Sequence, residues 1–128
     1  AIRQRLVRSC HDLSEGGLAV AAAEMSFSGG GGARLRLAGV PRPGGEDGLD
    51  DPGLLFSESN CRYLVEVSEE NKDVFLSIFA GLPAASIGQT CEGETLDVVG
   101  QDGAEVVLSE SLEGLRTSWK EPLIFDAV

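Results

Sequence analysis

The residue types best suited to chemistry gather in one short run, Cys10-His11-Asp12-Leu13-Ser14-Glu15-Gly16-Gly17-Leu18. A polar turn leads there into two glycines and the start of an apolar helix. Free backbone N–H groups at a helix start can hold a phosphate or a carboxylate, so Asp12, Ser14, Gly16 and Gly17 are candidate phosphate- or nucleotide-binding residues. His11 beside Asp12 has the types of a general-base pair, but neighbours on a strand point to opposite faces and rarely bond side chain to side chain. By pattern alone the run reads either as a structural turn or as an anion or ligand site. A second run, Leu55-Phe56-Ser57-Glu58-Ser59-Asn60-Cys61-Arg62, places polar groups where a loop enters a strand, from which they can converge on a ligand. Glu58 can accept from hydroxyls, and Ser57 and Ser59 can donate, which makes these three the candidate substrate-binding residues. The alternative is a hydrophilic loop with Glu58 paired to Arg62.

The elements that would carry these runs follow from periodicity. Residues 1–8 read as the end of a helix, with Ile2 and Leu6 on one face and arginines on the other. Ser9 to Ser14 reads as a short strand and turn. From Leu18, apolar residues at 18, 21, 22 and 25 have helical spacing. The other faces of that helix are apolar too, Glu24 being its one charge, so burial on more than one side is expected. That predicts a contact surface for a neighbouring domain, or a dimer of the fragment. Gly29 to Gly32 ends the helix; no Gly-Lys-Ser/Thr follows, so these glycines are not a P-loop. Arg34 to Leu37 alternates as a half-buried strand. Its two arginines could reach an anion, but such alternation usually faces solvent. Residues 39–53 hold five glycines and three prolines and predict a surface loop. Tyr63 to Val67 is a strand. Ser68 caps a helix whose apolar face is Val74, Phe75, Ile78 and Phe79, stopped at Gly81-Leu82-Pro83. Strands follow at Ala84–Thr90 and Thr95–Val99, and Asp102-Gly103 turns the latter into a hairpin with Glu105–Leu108. Ser111 caps a last helix carrying Leu112, Leu115 and Trp119, which Pro122 ends. The expected architecture is α+β, with a central sheet containing strands near 34–37, 63–67, 95–99 and 105–108.

Bulk properties narrow the function. At 128 residues the chain has the size of one domain. A formal charge of −11, from 21 acidic against 10 basic residues, argues against a nucleic-acid surface. No apolar run approaches the ~20 residues of a membrane span, and no signal peptide is evident. The three cysteines, Cys10, Cys61 and Cys91, form no CxxC pair and are expected as reduced, mostly buried thiols of a cytoplasmic protein. With His11 the only histidine, no zinc site is expected. The first residue is not methionine and the chain opens within an element, so an excised segment of a longer chain is expected.

Taken together, the two polar runs resemble a known family. His11-Asp12-Leu13-Ser14-Glu15-Gly16-Gly17-Leu18-Ala19-Val20 with Ala23-Glu24-Met25, and Leu55-Phe56-Ser57-Glu58-Ser59 with Arg62 to Val67, resemble motifs of the phosphoribosylformylglycinamidine synthases. Pro83-Ala84-Ala85 to Ile87-Gly88 and Leu112-Glu113-Gly114-Leu115-Arg116 to Trp119, with Pro122-Leu123, continue the likeness in order from about residue 8 to 123. Glu15 stands where Asp is common, Asn60 follows the Ser-Glu-Ser at a variable position, and the 39–53 loop is unusual. In that family, N-terminal-type and C-terminal-type domains alternate in two copies. The closing tryptophan motif and Ser57-Glu58-Ser59 resemble the second C-terminal-type copy, within the aminoimidazole ribonucleotide synthetase-like superfamily.

The resemblance implies a three-layer α/β/α domain with a mixed, largely antiparallel, partly ferredoxin-like sheet, spanning residues 1–128 as a single C-terminal-type domain. It implies an ATP-dependent ligase of purine biosynthesis. ATP phosphorylates the amide oxygen of formylglycinamide ribonucleotide, and ammonia released from glutamine displaces phosphate to give the amidine, with Mg²⁺ offsetting charge. ATP and Mg²⁺ would be bound mainly by domains outside this chain. No catalytic or metal-ligating residue is therefore expected inside it, and the isolated domain is expected to be inert. Its partners would be the N-terminal-type domains of the same synthase, with a glutaminase subunit and a small accessory subunit in the multi-subunit form. Two alternatives stand beside this: the C-terminal domain of aminoimidazole ribonucleotide synthetase or selenophosphate synthetase, against which the Leu-Phe-Ser-Glu-Ser motif argues, and a purely structural duplicated half.

Overall fold

The computed structural model describes residues 1–42 and 48–121. In chain order its elements are β1 (Val7–Asp12), α1 (Gly17–Gly29), β2 (Gly32–Arg36), α2 (Asp51–Phe56), β3 (Tyr63–Val67), α3 (Lys72–Ile78), β4 (Gly88–Cys91), β5 (Thr95–Val99), β6 (Val106–Ser111) and α4 (Leu112–Lys120). The strands form two sheets. One is the antiparallel pair β1-β3; the other has the order β4-β2-β5-β6. Within the second, β2 and β5 run parallel, Ala33 opposite Leu96, and the outer pairs are antiparallel. This is the α+β class with mixed, largely antiparallel pairing. The strand at 63–67 forms where expected but joins β1 rather than the larger sheet, with Cys10 opposite Val65 and His11 opposite Leu64.

Helix α1 is the centre of the molecule. It contacts both sheets and also α2 and α4, and Leu18, Ala21 and Ala22 are 1%, 2% and 3% exposed. Facing it, Leu35, Leu37, Leu54, Leu96 and Val98 complete the core. Each fully buried aliphatic side chain contributes roughly 1.5–3 kcal/mol by leaving water. Most of the apolar helix is thus covered within one chain, because its several faces meet several elements, and Val20 alone of its large apolar residues is exposed. The expectation of a contact surface for a neighbouring domain or a second copy narrows to the strip at Val20. Its C-terminus is closed locally: Arg116 of α4 donates from Nη2 to the Phe27 carbonyl at 2.6 Å, and the Phe27 and Trp119 rings lie 5.9 Å apart. A cation on the last carbonyls suits the negative end of the helix dipole.

Four further expectations are corrected. Residues 1–8 are not a helix end: a single 3-10 turn, Ile2–Gln4, gives way to β1, because Val7 pairs with Val67 far along the chain. The loop expected over 39–53 contains the start of α2, and its residues 43–47 lie outside the described set. Asp50 caps α2 by accepting from Gly53 N at 2.9 Å, and Pro52 lies in its first turn, where a missing N–H costs nothing. The cysteines, expected buried, are all exposed. The helix capped by Ser68 divides into a 3-10 turn, Glu69–Asn71, and α3, with Val74 and Ile78 exposed. The β5–β6 hairpin and the Ser111 cap, whose hydroxyl accepts from Gly114 N at 3.1 Å, form as expected. The termination of α4 at Pro122 falls outside the described residues.

Candidate functional site

The two polar runs come together although they lie more than forty residues apart. The turn after β1 and the turn after α2 meet at two hydrogen bonds: Gly16 N donates to Glu58 Oε1 at 2.9 Å, and Leu13 N donates to the Arg62 carbonyl at 3.0 Å. The fold forces this approach. Gly16 and Gly17 have φ of 72° and 61°, left-handed values that favour glycine. A Cβ on Gly17 would lie 2.7 Å from the Ser57 carbonyl oxygen and 2.9 Å from that of Leu55, so the α1 start rests directly on the backbone of the second run. That second run is held in turn by Leu54 and Leu55, buried in the core, and by Arg62, whose Nη1 donates to Ser57 Oγ at 2.8 Å and to Ser57 O at 3.3 Å. The alternative pairing of Glu58 with Arg62 does not occur. Arg62 binds Ser57, and Glu58 binds Gly16.

Between the two turns lies an open cleft of about 330 Å³. Asp12, Ser14, Glu58 and Ser59 line it, whereas Ser57, Gly16 and Gly17 form its supporting backbone rather than its walls. Glu15, Asn60, Cys61, Arg62 and Tyr63 also line it and were not singled out from sequence as ligand residues. The signal was available for Asn60 to Tyr63, since they directly continue the Ser-Glu-Ser run into β3. Cys61 has φ of 63°, which turns the chain so that Arg62 can reach back to Ser57. The charged groups in the walls are the carboxylates Asp12, Glu15 and Glu58 and the guanidinium Arg62. Glu58 Oε2 has no hydrogen-bond partner among the described residues and remains an acceptor. Acceptor-rich walls suit hydroxyl groups or a cation-carrying ligand better than a bare phosphate, since like charges repel in a partly dry cleft. The Gly16 N–H, an anion donor in sequence terms, is already engaged by Glu58.

His11 lies on the other face of β1, as strand alternation requires. Its Nδ1 is 2.6 Å from the Asp12 carbonyl oxygen and its Nε2 2.8 Å from Glu24 Oε2. The Asp12 carbonyl, and after it the Glu24 carboxylate, raise the His11 pKa above the ordinary histidine value. Glu24 also accepts from Trp119 Nε1 at 2.9 Å, so one carboxylate ties β1, α1 and α4. The histidine is a structural link that does not itself line the cleft, although its Nδ1 lies 3.6 Å from Oδ1 of the cleft residue Asp12. Among the described residues no three His, Cys, Asp or Glu side chains cluster as a metal centre. Asp12 and Glu58 could at most add ligands to an ion held from elsewhere.

The geometry defines a class: an α+β domain that presents a polar cleft from two turns locked together by a glycine pair. Residues 1–101 match the family of AIR synthase related proteins, C-terminal domain, and the chain belongs to that family. Among curated proteins it is similar to the phosphoribosylformylglycinamidine synthase subunit PurL of Deinococcus radiodurans, at 38% identity over 95% of this chain and 15% of that protein. It is also similar to the subunit of the same name from Rhodospirillum rubrum, at 42% over 88% of this chain and 14% of that protein. The chain thus spans about 15% of the length of the D. radiodurans relative. In three dimensions it resembles Thermotoga maritima PurL complexed with ADP, with a TM-score of 0.80 at 25% identity, covering 89% of this chain and 19% of that one. The PurLQS structure from the same organism gives 0.76 at 23%, with the same coverages, a likeness of fold. No helix among the described residues is long and apolar enough to cross a membrane.

Proposed function

We propose that this chain is the second C-terminal-type domain of a phosphoribosylformylglycinamidine synthase. The enzyme would convert formylglycinamide ribonucleotide, ATP and glutamine-derived ammonia to formylglycinamidine ribonucleotide in de novo purine biosynthesis. The domain completes a ligand cleft and supplies no catalytic group. The observation that carries this reading is the Gly16–Glu58 hydrogen bond, which closes the two family-like motifs onto one cleft. Within it, Glu58 and Ser59 offer acceptor and donor to the hydroxyls of a ribose, and Asp12 and Ser14 face the same ligand from the opposite turn. Ser57, Gly16 and Gly17 hold the backbone. An incoming phosphate could take the Gly16 N–H only by displacing Glu58.

ATP, when bound, supplies the phosphoryl group that activates the amide oxygen, and Mg²⁺ offsets its charge. Neither is held by a complete set of ligands in this chain, and the N-terminal-type domains would hold both. Subunits of the multi-subunit synthase, a glutaminase and a small accessory protein, are the expected partners; a T. maritima structure titled PurLQS is consistent with such an assembly. A cytoplasmic location follows from the same reading.

Replacing Glu58 by Ala in the full-length synthase should raise the KM for the ribonucleotide or for ATP with kcat little changed. Because Glu58 is exposed in this chain, the expected loss is about 0.5–1.5 kcal/mol, the net contribution of an ordinary hydrogen bond. One observation favours a second reading, that this copy is a structural half: Glu58 already satisfies Gly16. An unchanged KM in a variant that remains folded would select it.

A further inference from the structure

We infer that Gln101, at the tip of the β5–β6 hairpin, is a positioning residue that clasps Leu49 and Asp51 at the start of α2 and thereby sets where the Ser57-Glu58-Ser59 turn lies. Gln101 is far from this turn in sequence and belongs to neither polar run, yet its side chain uses both ends of its amide, on Leu49 and Asp51 at the start of α2 and on Arg42. Nε2 donates to Asp51 Oδ1 at 2.8 Å and to the Leu49 carbonyl at 3.0 Å, and Oε1 accepts from Arg42 Nη2 at 2.5 Å. Its backbone N–H adds a bond to Asp51 Oδ1 at 3.2 Å. The preceding Gly100 makes the approach possible, since a Cβ there would stand 2.6 Å from Asp51 Oδ2.

The clasp is mounted on a fixed base. Gly100 N donates to the Glu105 carbonyl at 2.8 Å, and Asp102 Oδ1 accepts from Ala104 N at 3.0 Å and Glu105 N at 3.3 Å. Those two bonds hold the Asp102 carboxyl below the usual carboxylate range. The element it holds is not self-supporting. Helix α2 has six residues, far short of the ~12–15 at which an isolated helix is even marginal. Leu54 and Leu55 fix its depth in the core, while Asp51 is its first residue and Ser57 follows its last. The residues before α2 also face the turn after it across a gap. Arg42 and Leu49 share with Ser57, Ser59 and Arg62 the walls of a small second cleft of about 80 Å³. A tilt of α2 about its buried leucines therefore moves Ser57 and Glu58 relative to Gly16.

The inference rests on the reading of the main cleft as a ligand site, and its test separates the two. In the full-length synthase, Gln101→Ala should speed amide hydrogen exchange in peptides covering 50–59 by about tenfold, the loss of one or two net hydrogen bonds. It should raise the same KM that Glu58→Ala raises, also by about tenfold, with kcat changed less than twofold. Asp51→Ala removes the acceptor of both bonds that Gln101 makes to Asp51 and leaves the hairpin sequence untouched, so it should reproduce the effect even where Gln101→Ala misfolds. Glu58→Ala should leave exchange in Asp51 to Leu55 unaltered. If exchange and KM in both clasp variants stay at wild type while Glu58→Ala raises KM, the clasp is overturned and the cleft stands. Faster exchange with an unchanged KM also overturns it, leaving Gln101 a stabilising residue only. A Glu58→Ala enzyme with unaltered KM removes both.

Discussion

Substituting Gly17 by Ala tests whether the contact between the α1 start and the Ser57 backbone organises the cleft. Two costs add at this position. The left-handed backbone, φ 61°, costs an L-residue about 1–2 kcal/mol. The new Cβ would also stand 2.7 Å from Ser57 O, 2.9 Å from Leu55 O and 2.9 Å from Phe56 C. All three are backbone atoms, which cannot turn aside as a side chain end can, and overpacking of this kind costs typically about 1–3 kcal/mol. The sum, about 2–5 kcal/mol, is a large part of the about 5–15 kcal/mol that holds an ordinary domain together. Gly30→Ala provides the control. Gly30 has a φ of 73°, equally left-handed, but nothing lies within 4 Å of its Cβ position, so only the conformational cost applies. Any entropic gain from removing a glycine from the unfolded chain is common to both variants and cancels in the comparison. Urea unfolding, followed by circular dichroism and by Trp119 fluorescence, should place Gly17→Ala below Gly30→Ala by about 1–3 kcal/mol at similar slope. Equal stabilities would refute the reasoning, because they would mean that the two turns do not press on one another.

Two more outcomes follow from single side chains. The His11 pKa is raised by the Asp12 carbonyl and the Glu24 carboxylate. Its contribution to stability is therefore complete below the unfolded value of about 6.5 and is lost as pH rises through the higher folded value. An NMR titration of His11 should show a midpoint above that of an unfolded peptide, and Glu24→Gln should lower it; an unmoved midpoint would break the proposed link. Cys10 has its thiol pKa pushed up by partial burial and by the neighbouring Asp12 carboxylate, so it should alkylate more slowly at pH 8 than Cys61 or Cys91. Peptide mapping after brief iodoacetamide treatment checks this, and preferential labelling of Cys10 would contradict it.

Much of the architecture could be read from periodicity, because strands β2, β5 and β6 and helices α1 and α4 each carry a local signal that agrees with their final environment. Alternation at Arg34 to Leu37, the Asp102-Gly103 turn and the Ser111 cap all depend on residues within a few positions of each other. What escaped the sequence depends on partners far along the chain. Val7 becomes strand because Val67 is beside it, and no window around the first eight residues holds that fact. Helix α2 hides behind Asp-Pro-Gly, which reads as a breaker, although Pro52 lies in the first turn and Asp50 is a good cap. The apolar α1 is correctly read as buried on more than one side, but periodicity does not say which elements cover it.

The candidate site divides along the same line. Residue type and order mark both runs as polar turns at element ends. The carboxylate that meets the glycine pair is set by the fold alone. Charge logic assigns Glu58 to Arg62, four residues away, since opposite charges nearby in sequence are the cheapest pair to make. In the structure Arg62 instead reaches back to Ser57, and Glu58 crosses to Gly16. The reason is steric before it is electrostatic. With no side chain on Gly17, the α1 start settles against the carbonyls of Leu55 and Ser57, and this brings the Gly16 N–H within reach of the residue that follows Ser57. A donor at the positive end of a helix then competes well with the half-buried Arg62 guanidinium, which is already held by Ser57. The closure of the cleft is thus written in the absence of two side chains, at positions where composition shows only glycine.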